Sequence, residues 1–267
     1  MSVPPLRPHP RLTRYYETDS QRPGAVNDMF DDGAPHYEWI CRIMSFGTGE
    51  QYRRQALRDC GLAAGMRVLD VATGTGLVLR TALDLSGVTG LAVGLDPSKG
   101  MLRECQKNCA APILQGRGEH LPFADASFHM VSMGYGLRHV TDLHVLFAEY
   151  ARVLKPRGRV LLLEITQPRS ALGRWLNQFY LRHLIPSITR LSKGTAPSTR
   201  MMNYFWDTIE TCVPPELILG ALRSAGFPNA TRTVTGGILS EYRAQKGHSP
   251  SGSGVVVPKS GLLGDVL

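Results

Sequence analysis

The sequence predicts a doubly wound α/β fold on a mostly parallel sheet, and three observations carry that prediction. Short apolar runs alternate with stretches of helical spacing between Arg67 and about Arg243. The run 159–165 is apolar at nearly every position, as in a central parallel strand covered on both faces. A Gly-rich turn, Asp70-Val-Ala-Thr-Gly-Thr-Gly76, follows the first apolar run and opens a helical stretch.

Arg67–Val71 reads as the first buried strand, followed by a helix from the Gly-rich turn to about Leu85. Residues 91–95 form the second strand, ended by Asp96-Pro97. Residues 98–109 are helical, with Ser98 as N-cap. Strands three and four fall at 112–115 and 128–133. The stretch 141–154 puts Leu143, Leu146, Phe147 and Tyr150 on one helical face, with Thr141 or Asp142 as cap. Residues 155–158 read as a turn before the fifth strand. A late helix over 215–225, closed by Gly226, precedes two short strands, which brings the sheet to seven.

Residues 1–24, rich in Pro and Arg, read as a flexible N-terminal arm, and 247–267, rich in Gly, Ser and Pro, as a flexible tail. Between them, 25–246 is patterned as one domain, with an insertion at about 168–210 after the fifth strand. Of 267 residues, 43% are hydrophobic and 19% charged, which suits a globular chain. No apolar run of about 18 residues is present, so no spanning helix is expected. The first residues lack a secretory apolar region, and Glu17 and Asp19 argue against a transit peptide. Five scattered cysteines form no CxxC pair, consistent with a reducing cytoplasm. Cys105 and Cys109 share a helix face without a His partner, so packing is expected there and no metal.

Gly74 and Gly76 let backbone approach a ligand, and the helix that follows offers free N–H groups. Asp96, about twenty residues on, stands where a carboxylate accepts hydrogen bonds from ribose hydroxyls. The dinucleotide fingerprint fails at Leu79, where a third small residue belongs. Asp70 inside the turn suits a ligand carrying a positive amino group. These features favour S-adenosylmethionine (AdoMet) over a dinucleotide.

From 26 to 243 the chain resembles the UbiE-type family of ubiquinone/menaquinone C-methyltransferases, a branch of the Rossmann-like class I AdoMet-dependent methyltransferases. The likeness rests on Phe30-Asp-Asp-Gly-Ala-Pro-His-Tyr37 with Met44-Ser-Phe-Gly47, which resembles the family's helical lid, and on the turn ending at Gly76. It also rests on Asp96-Pro-Ser-Lys-Gly-Met-Leu102, Glu119 to Phe128, and Arg152-Val-Leu-Lys-Pro-Arg-Gly158 with Leu163 to Pro168. Tyr135-Gly-Leu-Arg-His-Val-Thr-Asp142 is the most specific segment. The resemblance implies AdoMet contacts from Asp70, Thr73, Gly74, Thr75, Gly76, Asp96, Met101, Arg117, Gly118 and Gly134. Arg117-Gly118 replaces the family's usual Asn-Ala or Asp-Ala, Gly134 its serine, and His139 its Asn. Arg117 has donors only and cannot accept from an adenine amino group.

The implied reaction is methylation of a ring carbon on a hydrophobic, quinone-type small molecule. Such a carbon becomes nucleophilic when its neighbouring hydroxyl ionises, which needs a base or a stabilising cation. Arg138, implicated in acceptor activation in the family, would hold the phenolate or orient a water. His139 reads either as general base or as a structural residue, and Tyr37 either closes over the sulfonium or packs the lid. O- or N-methylation of another hydrophobic molecule is the alternative, and an AdoMet-binding regulator the non-enzymatic one. In the insertion, Arg169, Arg174, Arg182, Arg190, Lys193 and Arg200 occur without an acid between Glu164 and Asp207. A solvated cap face and a peripheral contact with an anionic membrane both fit this run. Nucleic acid is disfavoured, because the stretch after strand four, Met133 to Arg138, lacks the Asp/Asn-Pro-Pro-aromatic run of base-amino methyltransferases. The sequence leaves the oligomeric state open.

Overall fold

The computed structural model describes residues 4–168, 170, 173, 175 and 196–247. Two helices, α1 (Arg22–Met44) and α2 (Gly49–Asp59), precede an alternating series. That series is β1 (Arg67–Val71), α3 (Leu77–Ser86), β2 (Leu91–Asp96), α4 (Lys99–Asn108), β3 (Ile113–Gln115), β4 (Phe128–Gly134), α5 (Leu143–Val153) and β5 (Leu154–Ile165). The chain closes with α6 (Ala196–Glu210), α7 (Pro215–Ser224), β6 (Thr231–Thr235) and β7 (Leu239–Gln245). The seven strands lie in the order β3-β2-β1-β4-β5-β7-β6. The first five pair in parallel, whereas β7 runs antiparallel to both β5 and β6. This is the class I fold expected from the sequence. Its strand order reverses between β1 and β4, so the carboxyl ends of β1, β2 and β4 frame the crevice.

Local chemistry fixes the helix starts as anticipated. The Met101 amide donates to Ser98 Oγ (3.0 Å) and the His144 amide to Asp142 Oδ1 (2.9 Å). Asp142, not Thr141, is therefore the cap of α5. Leu143, Leu146, Phe147 and Tyr150 are fully buried in the main core. Each such side chain contributes about 1.5–3 kcal/mol through removal from water.

Two expectations change. The segment 155–158 does not precede β5 but lies within it: the strand begins at Leu154, and Arg157 at φ 62° bends it where the pairing with β4 shifts register. Nor is the N-terminal arm loose. The Leu143 amide donates to Leu6 O (2.9 Å), the Val213 amide to Pro8 O (2.8 Å), and Tyr15 Oη to Asp207 Oδ2 (2.6 Å). His9, Tyr15 and Tyr16 are buried. Aromatic and apolar residues spaced among the prolines and arginines dock the arm, and an average over composition hides them.

α1 is the lid. Its apolar face meets Met201, Met202, Phe205, Trp206 and Ile209 of α6. Asp31 pins it to α4 by accepting from Ser98 Oγ (2.5 Å) and the Gly100 amide (2.8 Å). Gly100 is required there, because a Cβ would lie 2.6 Å from Asp31 O. Most of the basic insertion and the tail 248–267 fall outside the described residues. Of its six basic side chains only Arg200 is described, and it is exposed. Among the described residues no helix is long and apolar enough to cross a membrane.

Candidate active site

The Gly-rich turn is held from behind. Asp70 is buried and accepts from Thr73 Oγ1 (2.7 Å) and Ser132 Oγ (2.7 Å). Burial raises its carboxyl to about 6 against these two hydrogen bonds. Asp70 and Thr73 thus shape the turn and lie outside the lining of the cleft in this conformation. Gly76, at φ 87°, serves packing: a Cβ there would lie 2.7 Å from Cys105 Sγ. Thr75 is buried behind the turn with its hydroxyl unpartnered and also does not line the cleft.

Asp96, Met101, Arg117, Gly118, Gly134 and Gly74 do line it. Asp96 Oδ2 accepts from the Gly74 amide (2.8 Å) and Oδ1 from the Ser98 amide (2.8 Å). Burial raises Asp96 to about 6, while the two amides pull it back. Gly74 at φ 56° has open space where a Cβ would point.

Several wall residues were not among the expected AdoMet contacts. Glu119 is one. Burial alone would raise its carboxyl, yet the Thr141 amide and hydroxyl and the Arg117 guanidinium hold it below the ordinary value. Glu119 also lines the cleft beside Arg117. Pro23, Val26, Asn27 and Phe30 of α1 cover the cleft from above. The cleft encloses about 90 Å³ in this conformation. A nucleotide-sized ligand needs several hundred Å³, so it enters only as α1 or its side chains shift.

The residues fit AdoMet. A carboxylate stands at the end of β2, the turn presents backbone beside it, and both ring nitrogens of the buried His139 are without a partner at the cleft wall.

A second cavity of about 1240 Å³ adjoins the first. Ile40, Met44, Ile165, Met201 and Phe205 give it an apolar lining. Tyr37 and Tyr135 line both spaces and form the partition between them. Tyr135 holds φ 63°, unusual for a side chain with a Cβ, and its amide donates to Leu163 O (2.7 Å). Burial raises both phenols well above the ordinary range.

Arg138 and His139, neighbours in the sequence, are placed differently. Arg138 is fully buried and lines neither cavity. Its Nε donates to Glu164 Oε2 (2.8 Å), and Nη1 to Thr208 Oγ1 (2.7 Å) and Phe205 O (3.1 Å). The guanidinium lies 4.2 Å from the Phe205 ring centre. A single 3-10 turn, Leu137–His139, directs this side chain under α6 and away from the ligand edge. His139 reaches the cleft, but burial first, then Arg138, His9 and Arg22, push its imidazole well below the ordinary value. It is neutral and a weak base. Its ring packs against Phe30 (4.9 Å between centres) and Tyr204 (5.4 Å).

A family model described as the ubiE/COQ5 methyltransferase family matches residues 16–246. The ubiquinone/menaquinone biosynthesis C-methyltransferase of Geobacter sulfurreducens is 33% identical over 89% of this chain and 93% of its own length. That of Syntrophotalea carbinolica is 36% identical over 83% and 94%. The demethylmenaquinone methyltransferase of Clavibacter sepedonicus is 32% identical over 85% and 92%. Among solved structures, a SAM-dependent methyltransferase from Aquifex aeolicus aligns at a TM-score of 0.57 and 16% identity, over 78% of this chain and 97% of that one. At such identity the likeness speaks to fold.

Proposed function

The chain belongs to the ubiE/COQ5 methyltransferase family, and on that premise we propose that it methylates a ring carbon of a quinol-type acceptor bearing an apolar tail. It is an AdoMet-dependent enzyme. The observation that supports this acceptor best is the pair of adjoining spaces. A narrow polar cleft ends at Tyr37 and Tyr135, and a wide apolar cavity begins at the same two side chains.

When bound, AdoMet supplies a methyl group on positively charged sulfur. The chain's own work is alignment and exclusion of water. Asp96 holds the ribose side of the cleft, and Asp70, with Thr73 and Ser132, fixes the turn that faces it. The lid α1 and the Tyr37–Tyr135 partition keep water from the line of transfer. The apolar cavity seats ring and tail, and an aromatic carbon can approach the partition from that side.

The relatives named for ubiquinone and menaquinone biosynthesis favour a quinol over another hydrophobic acceptor. The basic run from Arg169 to Arg200 supports a peripheral contact with an anionic bilayer in which a tailed acceptor resides. Cosedimentation with phosphatidylglycerol vesicles, lost on addition of salt, tests that contact; no binding to such vesicles would remove it. The acceptor itself is tested by incubating the enzyme with methyl-labelled AdoMet and a reduced demethylated quinone, then locating the label by mass spectrometry. Label on ring carbon supports the reading, whereas label on oxygen or nitrogen overturns it.

A further inference from the structure

Phenolic acceptors need a cation near the oxygen whose charge develops as ring carbon attacks. Arg138 is spent on Glu164, yet the cavity holds another buried arginine. Arg53, on the first half of α2, is 7% exposed and lines the wide cavity beside Tyr52 and Ser45. Its guanidinium makes no hydrogen bond and no ion pair among the described residues, and Nε is sealed from solvent without a partner. Only the terminal nitrogens remain for a ligand.

The carboxylates around it are all engaged elsewhere. Glu38 pairs with Arg80 (2.9 Å), Glu164 with Arg138 (2.8 Å), and Glu241 with Arg243. Among the described residues the other charged groups lining the cavity are Arg232 and Glu216. Arg232 donates to Ser240 Oγ (2.8 Å) and Thr166 Oγ1 (3.1 Å), and Glu216 is exposed at the rim. A buried cation without a counter-charge is costly to fold around. Such a group persists where it meets an anion in the working state.

Its position within the cavity matters as well. Arg53 lines the same cavity as Tyr37 and Tyr135, the two residues of the partition.

Resting on the proposed acceptor chemistry, we infer that Arg53 binds the anionic oxygen of the aromatic acceptor and stabilises it as a phenolate at the partition between the two cavities. The balance is simple. The acceptor hydroxyl gives its proton to water, and the oxygen's electron pair enters the ring. The neighbouring ring carbon forms a bond to the methyl group while the methyl–sulfur pair returns to sulfur. The ring carbon then loses its hydrogen as a second proton, the ring regains aromaticity, and the oxygen recovers a proton, for a net release of one. Arg53 keeps its own proton throughout, as a guanidinium must.

The test uses 4-nitro-1-naphthol, which changes colour on ionisation, with its methyl ether as neutral control. Bound to the wild-type chain, the naphthol should ionise at least tenfold more readily than in water. Arg53→Gln should abolish that gain and leave affinity for the ether and for AdoMet unchanged, and Arg53→Lys should keep part of it. With an active acceptor, Arg53→Gln should lower kcat about 10²-fold, the usual loss for one oxyanion contact. A bound naphthol that ionises no more readily than the free one overturns the inference on the wild type alone, whether or not a variant folds. An equal gain in Arg53→Gln overturns it too. Failure to methylate a quinol, with the ionisation gain intact, would sink the acceptor reading and leave Arg53 as an anion site.

Discussion

The cofactor cleft and the acceptor cavity share Tyr37 and Tyr135 and are otherwise built on different plans. The cleft is made of strand ends: Asp96 at β2, Gly134 at β4 and the turn after β1, each tied down by backbone amides or short side-chain bonds. The cavity is made of helix faces and late loops, with apolar walls and, among the described residues, one buried cation without a partner. Arg138 and Arg53 show the same contrast within one residue type. One buried guanidinium is satisfied by the protein, and the other is left for a ligand. A buried arginine reveals its role through its partners, not through its place beside a motif.

The largest effect expected from that contrast is on folding. Arg138→Ala leaves Glu164 buried without its partner and should cost about 3–5 kcal/mol, read as a fall in Tm. Wild-type stability with lost turnover would instead restore Arg138 to the chemistry. Next comes the cleft. Asp96→Asn should weaken AdoMet about 10²-fold by calorimetry, the order expected for losing hydrogen bonds to a charged acceptor. Unchanged affinity would remove Asp96 from the ribose site.

A smaller effect tests the turn. A Cβ at Gly136 would lie 2.5 Å from Ala72 Cβ, so Gly136→Ala should cost about 1–3 kcal/mol by overpacking. Denaturant unfolding measures it, and a neutral result would mean that the turn can yield.

The pH dependence should be about tenfold. Asp96 has its folded-state carboxyl raised to about 6, so it is ionised at pH 7 and protonated at pH 5. AdoMet affinity should fall about tenfold over that interval, and Asp96→Asn should flatten the change. Burial of the charged form makes Asp70 and Asp96 contribute to apo-protein stability in the opposite sense. Folded pKa values above the unfolded ones mean that their contribution is present at low pH and is lost as pH rises through about 6. Smallest of all is His139→Asn, expected to change kcat less than threefold. A loss of 10² or more would mark a general base.

Much of the cleft side was legible in the sequence because it depends on local rules. The apolar runs of β1, β2 and β5, the caps Ser98 and Asp142, and Asp96 at a strand end each follow from spacing and residue type. That Asp70 is tied to Ser132 of β4 could not be read from spacing, because the two are distant along the chain. One turn of 3-10 helix decided Arg138. Arg53 was invisible: it adjoins Arg54, whose side chain is 31% exposed and pairs with Asp84 (3.0 Å), and only the packing of α2 separates the two. The docking of the N-terminal arm depends on Asp142, Val213 and Asp207, all distant along the chain.

The proposed function is the alignment of AdoMet and an aromatic carbon across the Tyr37–Tyr135 partition. Its most direct test is a single turnover with methyl-labelled AdoMet and a reduced, demethylated quinone, followed by fragmentation of the product. All the label should appear on a ring carbon. Label on oxygen or nitrogen, or an unlabelled quinone after AdoMet has bound, would contradict it.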